Sequence, residues 1–263
     1  MKQLDKSIVV LFVLCLVFSA IIWPIIGMMT SEHAYITELE KVGIMPQDGQ
    51  YTNIRYIDGK PNNTASLSRD QFKIIVKHIT DFLSGKKKDF SLTLDNVILN
   101  GEIMNGVSIF GDTASVHMVD VRILFNSVKL AALSILCILA VIVIYMAKRI
   151  RSIGKELFKL SVKTLAVLGA LVLLFLLFVF VRLLIGGYSL SLNSYLSELW
   201  ICMHYVFFPF DPDKFYGSIF NDALTYILTL DFFMNVVVNV LINLLVVITA
   251  WLTAAKFISK KTK

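Results

Sequence analysis

Charge is scarce in this sequence, and cysteine and proline are scarcer. Asp, Glu, Lys and Arg together make up 17% of 263 residues, against ~25% in an ordinary soluble domain. Three scattered cysteines, Cys15, Cys137 and Cys202, offer no disulfide framework and no C-x-x-C metal site, and they read as small apolar residues. No nucleotide-binding loop, G-x-S-x-G elbow or H-E-x-x-H zinc helix is present, which removes the common nucleotide, serine-hydrolase and zinc-protease classes. No internal repeat or low-complexity stretch stands out.

What fills the space is apolar. Hydrophobic residues reach 57% and the mean hydropathy is +0.74, beyond the ~45–50% of a soluble domain. The excess lies in four blocks, 8–29, 127–147, 164–185 and 232–255, each long enough to cross ~30 Å of hydrocarbon. The first block is long and lacks an A-x-A site, so it reads as a retained anchor and not a cleaved signal.

Charge then orients the spans. Segments 1–7, 148–163 and 256–263 carry twelve basic residues against Asp5 and Glu156, whereas 186–231 holds Lys214 against five acidic residues. Positive loops stay inside. The expected fold is therefore an all-α polytopic protein of the cytoplasmic membrane with four transmembrane helices. Its termini (1–7 and 256–263) and the basic loop 148–163 are cytoplasmic. A small α+β module (30–126) and the loop 186–231 are extracytoplasmic. The net charge of +6 is topological, and no nucleic-acid partner is implied.

Within the module, the opening through Gly43 and on to Asn63 reads as loop with one short strand near 51–57. Asn62-Asn-Thr64 fits the glycosylation pattern, which has meaning only outside bacteria. Ser68 and Gln71 form a capping box before an amphipathic helix reaching Leu83, stopped by Gly85. Its apolar face, including Phe72, Ile75, Ile79 and Phe82, suits either the module or the membrane interface. Lys86-Lys-Lys88 reads as a solvated turn, with lipid headgroups as the other reading. Segments 90–94 and 107–110 read as strands around a Gly/Asn-rich turn. A helix capped by Asp112 or Thr113 then runs directly into the second span.

Among the histidines, His33 reads as an ordinary interfacial residue just outside the first span, and His78 as solvated. His117 shares a helix face with Asp120 at i+3, which can fix the imidazole tautomer. The helix dipole disfavours its cation, so it suits a general base or nucleophile, and equally a plain interfacial histidine. His204 opens an aromatic run beside Asp211 and Asp213. Asn235, Asn239 and Asn243 line one face of the last span, as helix glue or as a polar path. Arg182, near the end of the third span, could snorkel or hold a phosphate or carbonyl oxygen. Histidines and aspartates could together bind zinc, but their pattern gives this little support.

These motifs resemble a known family. His117-Met-Val-Asp-Val121 is similar to the H-M-x-D-V segment before the second span of the bacterial lipoprotein intramolecular transacylases. His204-Tyr-Val-Phe-Phe208 is similar to their F-H-x-x-F-F segment, with Met203 in place of the first Phe. Asp222-Ala-Leu-Thr-Tyr-Ile-Leu-Thr-Leu-Asp-Phe-Phe233 is similar to their D-P-L-I-x-x-L-P-x-x-F-F, with Ala223 and Thr229 in place of the prolines. The order and four-span topology agree along nearly the whole chain.

The resemblance implies transfer of the sn-2 acyl chain of a diacylglyceryl lipoprotein to the α-amine of its own N-terminal cysteine, giving a lyso-form lipoprotein. It implies His117 and His204 as catalytic, one at the amine proton and one at the ester, with Asp120 orienting His117. Arg182, Tyr205 and Asp211 are secondary candidates for binding glyceryl or carbonyl oxygens. The implied partners are a diacylglyceryl-modified lipoprotein and membrane lipid, with no metal and no cofactor; the oligomeric state is not legible. Competing readings are a partner-binding envelope protein and an acyltransferase or hydrolase of free phospholipid.

Overall fold

The computed structural model describes residues 3–186, 191, 194–195, 198 and 222–262. Among them, four helices are long and apolar enough to cross a membrane: Gln3–Thr30, Asp112–Lys148, Ile150–Arg182 and Asp231–Lys261. In chain order the elements are α1 (Gln3–Thr30), α2 (Glu32–Lys41), β1 (Tyr51–Arg55), a 3₁₀ turn (Ile57–Gly59), β2 (Thr64–Ser68) and α3 (Arg69–Ser84). There follow β3 (Thr93–Leu94), β4 (Val97–Leu99), β5 (Glu102–Met104), β6 (Val107–Ser108), α4 (Asp112–Lys148), α5 (Ile150–Ile185), α6 (Ala223–Ile227) and α7 (Leu230–Lys261). The chain is a multi-pass membrane protein with a small antiparallel sheet region between its first two spans.

Two compact units are distinguished: Met1–Pro24, Lys129–Phe207 and Asn239–Lys263 form one, and Ile25–Val128 with Phe208–Val238 form the other. The first is the membrane unit. Large side chains such as Leu173 and Val246 stand exposed on its helices, as lipid-facing residues do, because hydrocarbon solvates them as well as a neighbouring helix would. Its interior is a cluster of Val9, Phe12, Val13, Ile142, Met146, Ile153, Leu157 and Ala255.

Polar ties add direction to that packing. Asp5 is 1% exposed, accepts from the Tyr145 hydroxyl at 2.9 Å and the Ser152 hydroxyl at 3.3 Å, and lies 3.6 Å from Arg149 Nε. Trp251 Nε1 donates to Ser161 Oγ, and Asn243 Nδ2 donates to the Ala20 carbonyl at 2.7 Å. The asparagine stripe thus acts as helix glue at Asn243. The basic segment 148–163, expected to be a loop, is almost entirely helical: the bend is confined to Arg149 and helix resumes at Ile150.

The second unit holds the module. Its four-stranded sheet runs β1-β2-β4-β5, all antiparallel, and β3 pairs with β6. The capping box at Ser68 and Gln71 is formed, and Gly85 ends α3 at φ 90, the left-handed conformation glycine adopts without strain. Phe72, Ile75, Val76, Ile79, Phe82 and Leu83 are all fully buried. The amphipathic face therefore packs within the module. Burial of such side chains stabilises by about 1.5–3 kcal/mol each.

Two elements, α2 and the β4–β5 hairpin, lie in stretches expected to be loop or turn, and β2 fills the gap between the expected loop and the expected helix. Each is short, and β2 (Thr64-Ala-Ser-Leu-Ser68) carries weak strand propensity. Its pairing on both sides supplies what its residues do not.

Candidate active site at the start of helix α4

Helix α4 begins at Asp112, slightly earlier than expected. The Gly111 carbonyl accepts the first helical bond, from Ser115 N–H at 3.1 Å, so Gly111 and not Asp112 or Thr113 is the cap. An acidic residue in the first turn suits the helix dipole. The helix then continues unbroken through the apolar run to Lys148, as expected. His117 stands half-buried on it, about 9 Å from Gly111 at ~1.5 Å rise per residue. Asp120 follows one turn later with its side chain exposed.

Two ties hold the helix on either side of His117. At the start, the Gly111 N–H donates to Asp222 Oδ2 at 2.9 Å across 111 residues of sequence. The other carboxylate oxygen, Oδ1, accepts from Leu224 N–H at 2.9 Å and so caps α6. Asp222 is 1% exposed. Burial pushes its carboxyl above the usual range, while the N–H donors of Leu224 and Gly111 pull it back and nearby Asp58 raises it further.

The 3₁₀ turn completes this junction. A Cβ at Gly111 would stand 3.0 Å from Asp222 Oδ2 and 3.1 Å from Gly59 Cα, so the close approach favours glycine. Tyr56 and Asp58 adopt φ 58 and 56 without being glycine, a conformation costing about 1–3 kcal/mol that persists only where surroundings enforce it. Here the Asp58 N–H is held by the Ile109 carbonyl, and Tyr56 stacks on Tyr226.

The second tie lies five residues beyond His117. Arg122 Nη1 donates to the Lys87 carbonyl at 2.8 Å, and its guanidinium lies 4.9 Å from the Phe82 ring centre. The Lys86–Lys88 turn is exposed as expected, yet its backbone is a receptor for Arg122. His78 corrects the expectation of a solvated residue: it is 3% exposed. Lys87 Nζ can only donate, so His78 Nδ1 accepts at 3.0 Å, leaving Nε2–H to donate to the Phe90 carbonyl at 3.0 Å. Burial lowers its pKa from the ordinary 6.5, against the Phe90 bond and with help from Lys87. Helix periodicity places position 78 beside the apolar face, and the return of the chain through Lys87 and Phe90 that engages it is a contact outside the helix that its periodicity does not reveal.

In the membrane unit, Arg182 pairs with Glu198 at 3.0 Å, and Glu198 is 7% exposed. Arg182 is thus held by a carboxylate rather than simply snorkelling. His204, Tyr205, Asp211 and Cys202 lie outside the described residues. Sequence reasoning assigned no role to Asp222 or Glu198. Asp222 did open the third family-like segment, and its place just before a short helix was the available signal of a cap.

A family model described as Lipoprotein intramolecular transacylase Lit matches residues 7–233. No curated protein matches the sequence. Among solved structures, the membrane-integral lipoprotein intramolecular transacylase of Bacillus cereus is similar, with a TM-score of 0.62 and 14% identity over 99% of this chain and 98% of that one. A histidine-to-arginine variant of that protein gives 0.60 and 14%, over 98% and 93%. At that identity the likeness establishes the fold. The family match extends over most of the chain, and the chain belongs to the lipoprotein intramolecular transacylases, which are acyltransferases.

Proposed function

We propose that this family member moves the sn-2 acyl chain of a diacylglyceryl lipoprotein onto the α-amine of the same N-terminal cysteine, with His117 and His204 as its catalytic groups. The observation that carries the assignment is the placement of His117: half-buried, in the opening turns of a helix that goes on to cross the membrane, and tied on both sides.

The chemistry sets the requirements. The glyceryl ester C–O bond breaks, an amide C–N bond forms, and one proton passes from the amine to the departing glyceryl oxygen. The α-amine, with an ordinary pKa of about 7.7–8.0, must lose a proton before or during attack. A neutral imidazole within reach of the amine is a suitable acceptor. Two histidines allow one to take the amine proton and the other to protonate the alkoxide. Both reacting groups belong to one substrate, so proximity is built in and no activated donor is consumed. Asp120 orients His117. Arg182, Tyr205 and Asp211 bind glyceryl or carbonyl oxygens, Arg182 while retaining its pairing with Glu198. Both termini are cytoplasmic and the site faces the extracytoplasmic side of the cell membrane.

Mass spectrometry of lipoprotein N-terminal peptides tests this reading. His117→Ala and His204→Ala are expected to insert normally and to abolish lyso-form peptides, a loss of at least ~100-fold for a general acid–base group. Normal product from both variants refutes the assignment. Unchanged lipoproteins with the native protein expressed would favour a partner-binding role, and altered phospholipids alone an enzyme of free lipid.

A further inference from the structure

We infer that Asp222 is a positioning residue for His117, acting through the Gly111 amide at the root of helix α4; this rests on the catalytic reading of His117. A buried carboxylate that only caps the five-residue helix α6 would need one oxygen. Asp222 uses Oδ1 for that cap and extends Oδ2 to Gly111, the residue whose carbonyl begins α4. Leaving one oxygen unbonded in a site 1% exposed would be costly, so the carboxylate strongly favours the arrangement in which both are used.

The junction has little freedom to give. A Cβ on Gly111 would stand only 3.1 Å from the Gly59 backbone, and the turn carrying Gly59 holds two non-glycine residues in left-handed conformation. Arg122 grips the same helix beyond His117 through Lys87 and Phe82. Two fixed points on one helix define its rotation as well as its height, and the rotation sets which way the imidazole between them faces. Loss of the Gly111 tie removes the hydrogen bond that anchors the root of α4 to Asp222. A displacement of about 1 Å at a reacting group can cost 100-fold in rate.

Two substitutions separate the tie from the cap. In Asp222→Asn the amide oxygen can still cap Leu224, but an NH2 then faces the Gly111 N–H. Asp222→Ser retains a capping hydroxyl and is too short to reach Gly111. Both are purified in detergent, and kcat per folded molecule is measured from pH 5.5 to 9 on a diacylglyceryl lipopeptide. The expected result for both is a kcat about 10- to 100-fold lower, with KM within about twofold and the acidic limb of the pH–rate profile displaced. A population that is merely part-unfolded scales the profile down without moving it, and that outcome overturns the inference. So does a kcat within twofold of native. Activity of His117→Ala distinguishes the two levels: if it remains normal, the catalytic reading has failed. If it is lost while both Asp222 variants behave as native, the positioning role alone is wrong.

Discussion

The membrane unit and the module use the same residue types to opposite ends. In the module, large apolar residues such as Phe72, Phe82 and Leu83 are fully buried and supply the core. In the membrane unit, residues as apolar as Leu173 stand exposed, and polar side chains such as Asp5, Asn243 and Trp251 supply the cross-links between helices. The solvent explains the inversion. Water expels apolar surface from the module, whereas lipid does not distinguish a helix from itself, so packing and hydrogen bonds must do the joining. The buried aspartates mark the contrast: Asp5 gathers hydroxyls and Arg149 at the end of a helix bundle, and Asp222 gathers backbone N–H groups at a junction of turns.

The largest expected effect breaks the module. Phe82 is fully buried, packs edge-on against Phe90 at 5.1 Å between ring centres, and lies under the Arg122 guanidinium. Phe82→Ala is expected to destabilise the module by about 3–5 kcal/mol, measured as the fall in its thermal unfolding midpoint by protease resistance in detergent. Leu173→Ala, a truncation on a lipid-facing position, should leave unfolding unchanged within the resolution of the same experiment. Equal effects at the two sites would erase the distinction drawn between the units.

How much of this was legible from sequence follows the same division. The spans, the continuous helix carrying His117, the capping box at Ser68 and the buried face of α3 rest on runs, periodicity and caps, all of them local signals. The sheet partners of β2, the burial of His78 and the tie between Asp222 and Gly111 rest on contacts between distant segments. No spacing within one segment encodes them. For the site, residue types and motif order pointed to His117 and Asp120, but not to what holds their helix in place.

A second effect concerns pH and belongs to the module. His78 has a folded pKa below its ordinary 6.5, with Lys87, Asp89 and Asp81 nearby. A depressed pKa means the unfolded chain binds the proton more readily. The stability it contributes is therefore present above pH 6.5 and is lost as pH falls from there through the folded pKa. Thermal unfolding of the module followed between pH 5 and 7.5 should show the midpoint falling with acidity in that window. His78→Gln, which has an amide in place of the ring and no titration there, should flatten the slope. A variant as pH-sensitive as the native protein would move the titration to another group.

The smallest effect sharpens the membrane side. Asn243 donates to the Ala20 carbonyl at 2.7 Å, joining α7 to α1. Residue 24, whose N–H would ordinarily serve that carbonyl, is Pro24 and has none, so the asparagine supplies a donor that the helix itself lacks. In lipid such interhelical bonds average about 0.6 kcal/mol, because the separated helices also find partners. Asn243→Leu, close in volume and at ease in hydrocarbon, leaves that carbonyl without a donor and should shift detergent unfolding by about 1–2 kcal/mol while leaving kcat unchanged. A loss of several kcal/mol would mean that this contact is a principal support of the bundle. A loss of activity with stability intact would instead revive the polar-path reading of the asparagine stripe, since only a residue in contact with the substrate's route would alter rate without altering the fold.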